Sequence, residues 1–386
     1  MTISGIRHTK NINQDRRVVD MAKKIALLEP NKSPLITLTK RLSTKPTINP
    51  IFHWLEDELQ AKWSKVSTAE ANVAATDLVV SDIDLFRVGF LVKVPRTGEI
   101  MRVTDVTVST DTITVKRSFG TTAAAAILEN DPIVILGSAE AEGGLATTPL
   151  SVVTSTIFNY TQIFKTAVQL SKTQEASELY GGSDRAYQRL KKGIEHAVDL
   201  ERAAWFGEKA EDTTGSTPVR STGGVMSFIE TNAVSYDASN SLTEDNFEKE
   251  FLEGLFRYGS SKKTLFASSR VISVINSWGR DKIQTVVGEE TYGLKIYRYI
   301  SAHGELNIVK HQLFEGAVYG KMGVALDLDA GEVAWRPLSG RDTKLRTGIE
   351  PNDADYYLDE YITEGGFQIK LPKVHGIIEN VGFPSA

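Results

Sequence analysis

Cysteine is absent from all 386 residues. That removes disulfides, thiolate nucleophiles and every thiolate-ligated metal site, and it fits a chain that assembles in a reducing cytoplasm. Long apolar runs are missing too. The densest, Ile133 to Leu136, falls far short of the roughly 18 residues a membrane helix needs. Met1 to Arg17 is polar and basic without an apolar h-region, so no secretory signal is expected. Hydrophobic residues make up 41% and charged residues 24%, ordinary globular usage that excludes wholesale disorder and a collagen-like chain. At about 150 residues per domain the length predicts two to three domains, enough to bury up to about 75% of the unfolded surface.

Catalytic signatures are also lacking. Gly316-Ala-Val-Tyr-Gly320-Lys321-Met322 comes nearest to a phosphate-binding loop. It has one residue too few between its glycines, and Met322 stands where Mg²⁺ needs a hydroxyl. Asp327-Leu-Asp329-Ala-Gly331-Glu332 resembles a calcium loop, but Gly331 replaces an oxygen ligand and Leu338 takes the place of the bidentate Glu. A hairpin turn between Val324–Leu328 and Val333–Trp335 explains those residues better. The histidines His8, His53, His196, His303, His311 and His375 show no His-Glu-x-x-His spacing, and no Gly-x-Ser-x-Gly elbow exists. A triad assembled by folding stays open, since triads are defined by geometry rather than order. Glu56, Asp57 and Glu58 read as a solvated helical turn whose carboxylates diverge. Asp353, Asp355, Asp359 and Glu360 could gather a hard cation, but nothing in the sequence fixes their geometry. The reading is therefore not an enzyme: no catalytic, cofactor-binding or metal residue and no cofactor is assigned.

What is present is unevenly distributed. The net charge is −5, yet residues 1–50 carry ten Lys/Arg against three Asp/Glu, and residues 51–386 carry 34 against 46. A basic arm on an acidic body can dock on acidic neighbours or nucleic acid, or it can be a solvated, loose terminus. The acidic body argues against a dedicated DNA reader. Residues 14–29 read as a short amphipathic helix stopped by Pro30. Ser33 to Pro50, with Pro34, Pro46 and Pro50, reads as extended chain, a strap rather than a core element.

From Phe90 to Leu136 the pattern predicts a meander of about four strands. So small a sheet needs a cover that its flanks do not supply, so a projecting β arm partly covered by another chain is expected. Arg96, Arg102 and Arg117 on it read either as interface charges or as solubilising ones. Val152 to Ser171 is β-leaning. Ser183 or Asp184 then caps the longest helix, its stripe Tyr187, Leu190, Ile194, Ala197/Val198 and Ala204/Trp205 ending at Gly207. His196 falls on its polar side. Thr243 caps a helix with stripe Phe247, Phe251 and Leu255, Thr264 to Ala267 reads as a strand, and a third helix starts at Ser269. Beyond Tyr292 strands dominate: Leu294 to Tyr299, Leu306 to Val309, Val324 to Leu328, Val333 to Trp335, Tyr356 to Ile362 and Phe367 to Leu371. Helices and strands mix without strict alternation, which predicts α+β. Elements too extended to bury themselves imply burial against copies of the same chain.

The run Asn159-Tyr-Thr-Gln-Ile-Phe164 with Ser171-Lys-Thr173 resembles the SU-ten-like major capsid proteins of tailed bacteriophages, which have the Hong Kong 97-type (Johnson) fold. The likeness continues through Asp199-Leu-Glu-Arg202, Trp205-Phe-Gly207, Gly223-Gly224-Val-Met-Ser-Phe228, Leu242-Thr-Glu244, Glu360 and Gly366-Phe367 to Lys373-Val-His375-Gly376. It implies a layout: residues 1–50 an N-arm; 51–150 an E-loop carrying an inserted small β subdomain; 151–235 a peripheral domain with the spine helix; 236–345 an axial domain; 346–386 strands returning to the core. It also implies a virion protein, made in the bacterial host cytoplasm, that self-assembles through pentamers and hexamers into an icosahedral capsid. Its partners would be copies of itself, a portal, a separate scaffolding protein (the arm begins almost at Met1), a decoration protein where the shell carries one, and packaged double-stranded DNA contacted non-specifically; no membrane is involved. An encapsulin-like bacterial nanocompartment shell is the alternative, and an uncharacterised hydrolase a more distant one.

Overall fold

A computed structural model describes residues 33–42, 44–144, 147, 149–151, 153–177, 182–237, 241–278, 297–329 and 333–382. The helix read at 14–29 and His8 lie outside these residues. The chain divides into two compact units, one of 1–54 with 157–386 and one of Leu55–Thr156.

The larger unit opens with a helix, Pro34–Leu42. This corrects the extended strap read over Ser33 to Pro50. Pro34 sits at the first helical position, where its fixed φ suits a helix and its missing N–H costs nothing. Leu35, Ile36 and Leu38 are buried in the main core. Only the stretch after the helix is extended: Thr44 and Thr47 bridge Trp335 and Leu338 in parallel. Strand β1 (Ile51–Glu56) follows. Glu56 ends it and Asp57 and Glu58 lie in irregular chain, so the acidic trio is not a helical turn.

The smaller unit holds β2 (Trp63–Lys65), β3 (Asp77–Val79), β4 (Phe90–Lys93), β5 (Ile100–Thr107), β6 (Thr112–Lys116) and β7 (Pro132–Ser138). They run in the order β2-β7-β4-β5-β6-β3. The ends of the series meet: Val66 bridges Val80, and the Ser67 and Ser81 amides donate to the Val79 and Lys65 carbonyls at 2.9 Å. The sheet is thus a small closed barrel. Alternation along each strand turns Val92, Met101, Val103, Ile113, Val115, Ile133 and Ile135 inward. Irregular registers at Leu91/Val92 and Val103/Asp105 supply the bends. The expected meander needing a cover is therefore corrected. Two more strands than predicted close the sheet, and it covers its own apolar face.

Returning to the larger unit, the chain forms β8 (Ser155–Tyr160), which pairs with β1, then β9 (Gln162–Ser171) and the spine helix, Asp184–Phe206. Ser183 caps the spine by accepting from the Ala186 amide at 3.4 Å. Twenty-three residues make a rod of roughly 34 Å. A hairpin of β10 (Ala210–Asp212) and β11 (Val219–Ser221) leads to β12 (Ala233–Ser235). The helical stretch 244–256, capped by Thr243, contains a π-helical segment, Phe247–Leu252. Then come β13 (Lys262–Ala267), a helix Ser269–Ser277, β14 (Tyr297–Ile300), β15 (Glu305–Lys310), β16 (Gly323–Leu326), β17 (Val333–Pro337), β18 (Lys344–Arg346), β19 (Tyr356–Ile369) and β20 (Gly376–Glu379).

Two sheets organise this unit. One has the order β12-β20-β16-β13-β15-β14. Phe247, Phe251 and Leu255 pack with Val271, Val274 and Ile275 and with its Leu265 and Leu306. In the other, β19 runs the length of β9 on one side, with β17 and β18 in succession along its opposite side. The spine and the N-terminal helix pack on this second sheet. Strand β19 is one element, not the two segments read at Tyr356–Ile362 and Phe367–Leu371. Gly365 and Gly366 continue the strand because neighbours press against it: a Cβ on Gly365 would stand 2.6 Å from the Trp335 ring. The expected hairpin after Val324–Leu328 does not form either, since β16 and β17 belong to different sheets.

Candidate functional site

Four groups of polar side chains are built into the fold, three in the larger unit and one in the barrel. The first lies where the spine crosses β19. Asp359, 1% exposed, accepts from Arg185 Nε at 3.0 Å and Nη2 at 2.8 Å, from Arg189 Nε at 2.8 Å and from the Gly348 amide at 3.2 Å. Burial alone would raise its pKa, but these donors outweigh it and hold the carboxyl well below the usual range. The four acidic residues Asp353, Asp355, Asp359 and Glu360 are thus not a cation cage. Asp359 faces two guanidiniums, and Glu360 is 3.9 Å from Arg346. Among the described residues no group of three His, Asp or Glu could hold a metal ion.

The second group corrects the placement of His196. It is 1% exposed, not on a polar surface. Its Nδ1 lies 2.9 Å from Thr166 Oγ1 and its Nε2 2.7 Å from Thr363 Oγ1. Thr363 donates to Thr343 at 2.9 Å, which also accepts from Lys40 at 2.9 Å. With Thr363's proton so used, His196 Nε2 is the donor to it and Nδ1 the acceptor from Thr166. Burial, with Lys40 nearby, lowers the imidazole's pKa against a smaller opposing pull from Asp199, so the ring is neutral at pH 7. The spine's inward stripe over its first half is therefore Arg185, Arg189, Gly193 and His196, not the apolar series read from sequence. Leu190 of that series is 61% exposed. Gly193 makes room for Tyr361, whose ring a Cβ there would meet at 3.2 Å.

The third group lies in the main core, among Leu35, Ile36, Trp205 and Phe314. Glu201, on the last turns of the spine, is fully buried. Its Oε1 accepts from the Leu35 amide at 2.9 Å, Trp205 Nε1 at 3.0 Å and His311 Nε2 at 2.8 Å, and its Oε2 accepts from the Ile36 amide at 2.8 Å. The Leu313 amide donates to His311 Nδ1 at 3.2 Å, which places the ring proton on Nε2, facing Glu201. Trp205 stands edge-on to Phe266, His311 and Phe314. One carboxylate thus joins the N-terminal helix, the spine and the loop after β15. Its sequence signals were a place in the run Asp199-Leu-Glu-Arg202 and helical spacing to Trp205.

In the barrel, Arg117 forks onto buried Glu99 through Nε and Nη2, both at 2.8 Å. Glu99 also takes the Ser118 and Ala125 amides. Arg96 grips Asp131 at 2.6–3.0 Å, and Arg102 donates to the Ala139 carbonyl at 2.9 Å. These arginines, read as interface or solubilising charges, fix loops of their own unit. Of the other motif residues, Gly316–Tyr319 is a short helix. Asp327 is a buried partner of Lys263 at 3.6 Å and of the Ser260 amide at 2.7 Å. His311 and His375 are buried, His53 and His303 exposed. The buried charges described here thus join pieces of the chain to one another. The exposed large apolar side chains include Ile48, Leu190 and Val318 in the larger unit and Leu59, Val108 and Leu128 in the smaller one. No described helix is long and apolar enough to cross a membrane.

Comparison with known proteins gives a consistent result. The family described as SU10 major capsid protein matches residues 4–382. A major capsid protein of Pseudomonas phage PaMx41 is 27% identical over 358 residues, covering 89% of this chain and 84% of the relative. Among solved structures, the capsid of an empty GTA particle superposes with a TM-score of 0.53 at 8% identity, covering 97% of this chain and 98% of that one. The structure from Mycobacterium phage Cain gives 0.50 at 8% identity, covering 99% and 100%.

Proposed function

Because the chain belongs to the SU10 major capsid protein family and has the Hong Kong 97-type α+β capsid fold, we propose that its copies gather into pentamers and hexamers and close an icosahedral shell around double-stranded DNA. It is the major capsid protein of a tailed bacteriophage, a structural component of the virion built in many copies. The family match over 4–382 carries this reading. It also favours a phage head over an encapsulin-like compartment or a hydrolase.

Assembly is multivalent. Each contact can be weak, because a subunit with several neighbours gains effective concentration from every contact already made. Head-to-tail contacts close into rings of five or six. Residues 1–50 act as the N-arm, 51–150 as the E-loop with its inserted barrel, 151–235 as the peripheral domain and 236–345 as the axial domain, with 346–386 returning to the core. The self-contained unit Leu55–Thr156 supports an inserted module within the E-loop. DNA is contacted non-specifically, which the net charge of −12 beyond residue 50 favours by letting the genome pack without sticking. Subunits are made in the host cytoplasm and meet a portal, a separate scaffolding protein and, where the shell carries one, a decoration protein. The test is electron microscopy of the full chain expressed with and without its scaffolding partner. Closed shells or five- and six-fold capsomers are expected, and a stable monomer under both conditions overturns the reading.

A further inference from the structure

Helix ends expose four backbone N–H groups that need acceptors. At four other described helices a hydroxyl just before the helix supplies one: Ser171, Ser183, Thr243 and Ser268 accept from the Gln174, Ala186, Asn246 and Val271 amides. The helix Pro34–Leu42 differs. Its Leu35 and Ile36 amides go to Glu201, more than 160 residues away. Nine residues are also too few to hold a helix in water without tertiary support. Beyond Pro34 at its first position, its local sequence, with β-branched Ile36, Thr37 and Thr39 within, gives it little. The support comes from the receptor: two oxygens of Glu201 at one end, and Leu35, Ile36 and Leu38 in the core. At the other end Lys40 reaches Asp342 at 3.1 Å and Thr343 at 2.9 Å. Glu201 itself is aimed by Trp205 and His311.

We infer that Glu201 is the positioning residue that joins the N-terminal arm to the body: residues 34–42 become helical by docking on its carboxylate, and shell formation depends on that docked state. The first half concerns the single subunit; the second rests on the shell reading above. If docking makes the helix, losing the charge on Glu201 frees the helix while the body stays folded. If Glu201 only helps fill the core, its loss weakens the whole unit evenly.

The test is timed trypsin digestion of the full-length subunit, with cut sites read by mass spectrometry, alongside sedimentation of assembled particles. In Glu201→Gln, cleavage after Lys40 and Arg41 is expected to rise at least about tenfold, the scale of losing charge-assisted hydrogen bonds to buried amides. Cleavage after buried Lys263 should stay at the parent rate, and particle yield should fall. Thr37→Pro breaks the helix without touching Glu201, since it removes the Thr37 amide bond to the Ser33 carbonyl; the same pattern is expected. Cleavage at 40 and 41 that is unchanged in both variants, or that rises only in step with Lys263, overturns the docking claim. Freed arms with undiminished particle yield overturn the assembly claim. A parent chain that stays monomeric with and without its scaffolding partner refutes the shell reading, and the digestion still decides the role of Glu201.

Discussion

Asp359 shows what a single side chain does here. Two guanidiniums and an amide hold it ionised in a place where burial alone would favour the neutral acid. A carboxyl whose folded pKa is depressed contributes stability above its unfolded pKa, near 4, and loses it as pH falls toward the folded value. Unfolding free energy should therefore drop as pH goes below about 4. Asp359→Asn should cost about 3 kcal/mol at pH 7, the scale of breaking a buried ion pair. That variant should also show a flatter acid limb. Urea titrations of both proteins between pH 3 and 7 check this, and parallel acid limbs would refute the account. His196 teaches a related lesson about reading sequences. Its partners Thr166 and Thr363 lie 30 and 167 residues away, so no local pattern could announce its burial. A helix face of Arg, Arg, Gly and His looks like a wet one until Asp359 and Tyr361 arrive opposite.

At the level of elements, the sequence was legible wherever the physics is local. Ser183 and Thr243 marked helix starts, and the spacing of Phe247, Phe251 and Leu255 marked a buried stripe. It misled where a local cue had a distant cause. Pro34 resembles a helix breaker but occupies a first helical turn. Gly365-Gly366 resembles a chain break but lets Trp335 and Arg336 close on an unbroken β19. Gly365→Ala should push a methyl into the Trp335 ring and cost about 2 kcal/mol, as overpacking commonly does. A fall in Tm of the larger unit is expected; an unchanged Tm means that Trp335 can move aside. The N-terminal helix also changes what truncation means. Cutting away residues 1–50 would bare the core surface that Leu35, Ile36 and Leu38 cover, so point variants at the docking contact test the helix's role more cleanly than deletion.

At the level of the molecule, the two-unit division predicts two separable stabilities. Residues 55–156 have their own closed sheet and their own buried cluster, and should fold when expressed alone, with dispersed amide resonances and a cooperative melt. Arg117→Ala strands the Glu99 carboxylate inside that unit. About 3 kcal/mol should be lost from the barrel, while the melt of the larger unit in the full chain stays put. A single merged transition that shifts as a whole would show that the units do not unfold independently. The barrel's closure escaped the sequence because β2 and β3 are three residues each, and the backbone bridge between them is centred on one pair, Val66 and Val80.

That one pair also has a consequence for a protein synthesised in bulk. Newly made subunits crowd together before any particle exists, and a ribbon with bare amides along its border would recruit strands from whichever molecule drifted past. With its border stitched to itself, the barrel offers passers-by no such template. Contacts that this unit makes with other copies are then left to its side chains, which can be selective about partner and angle.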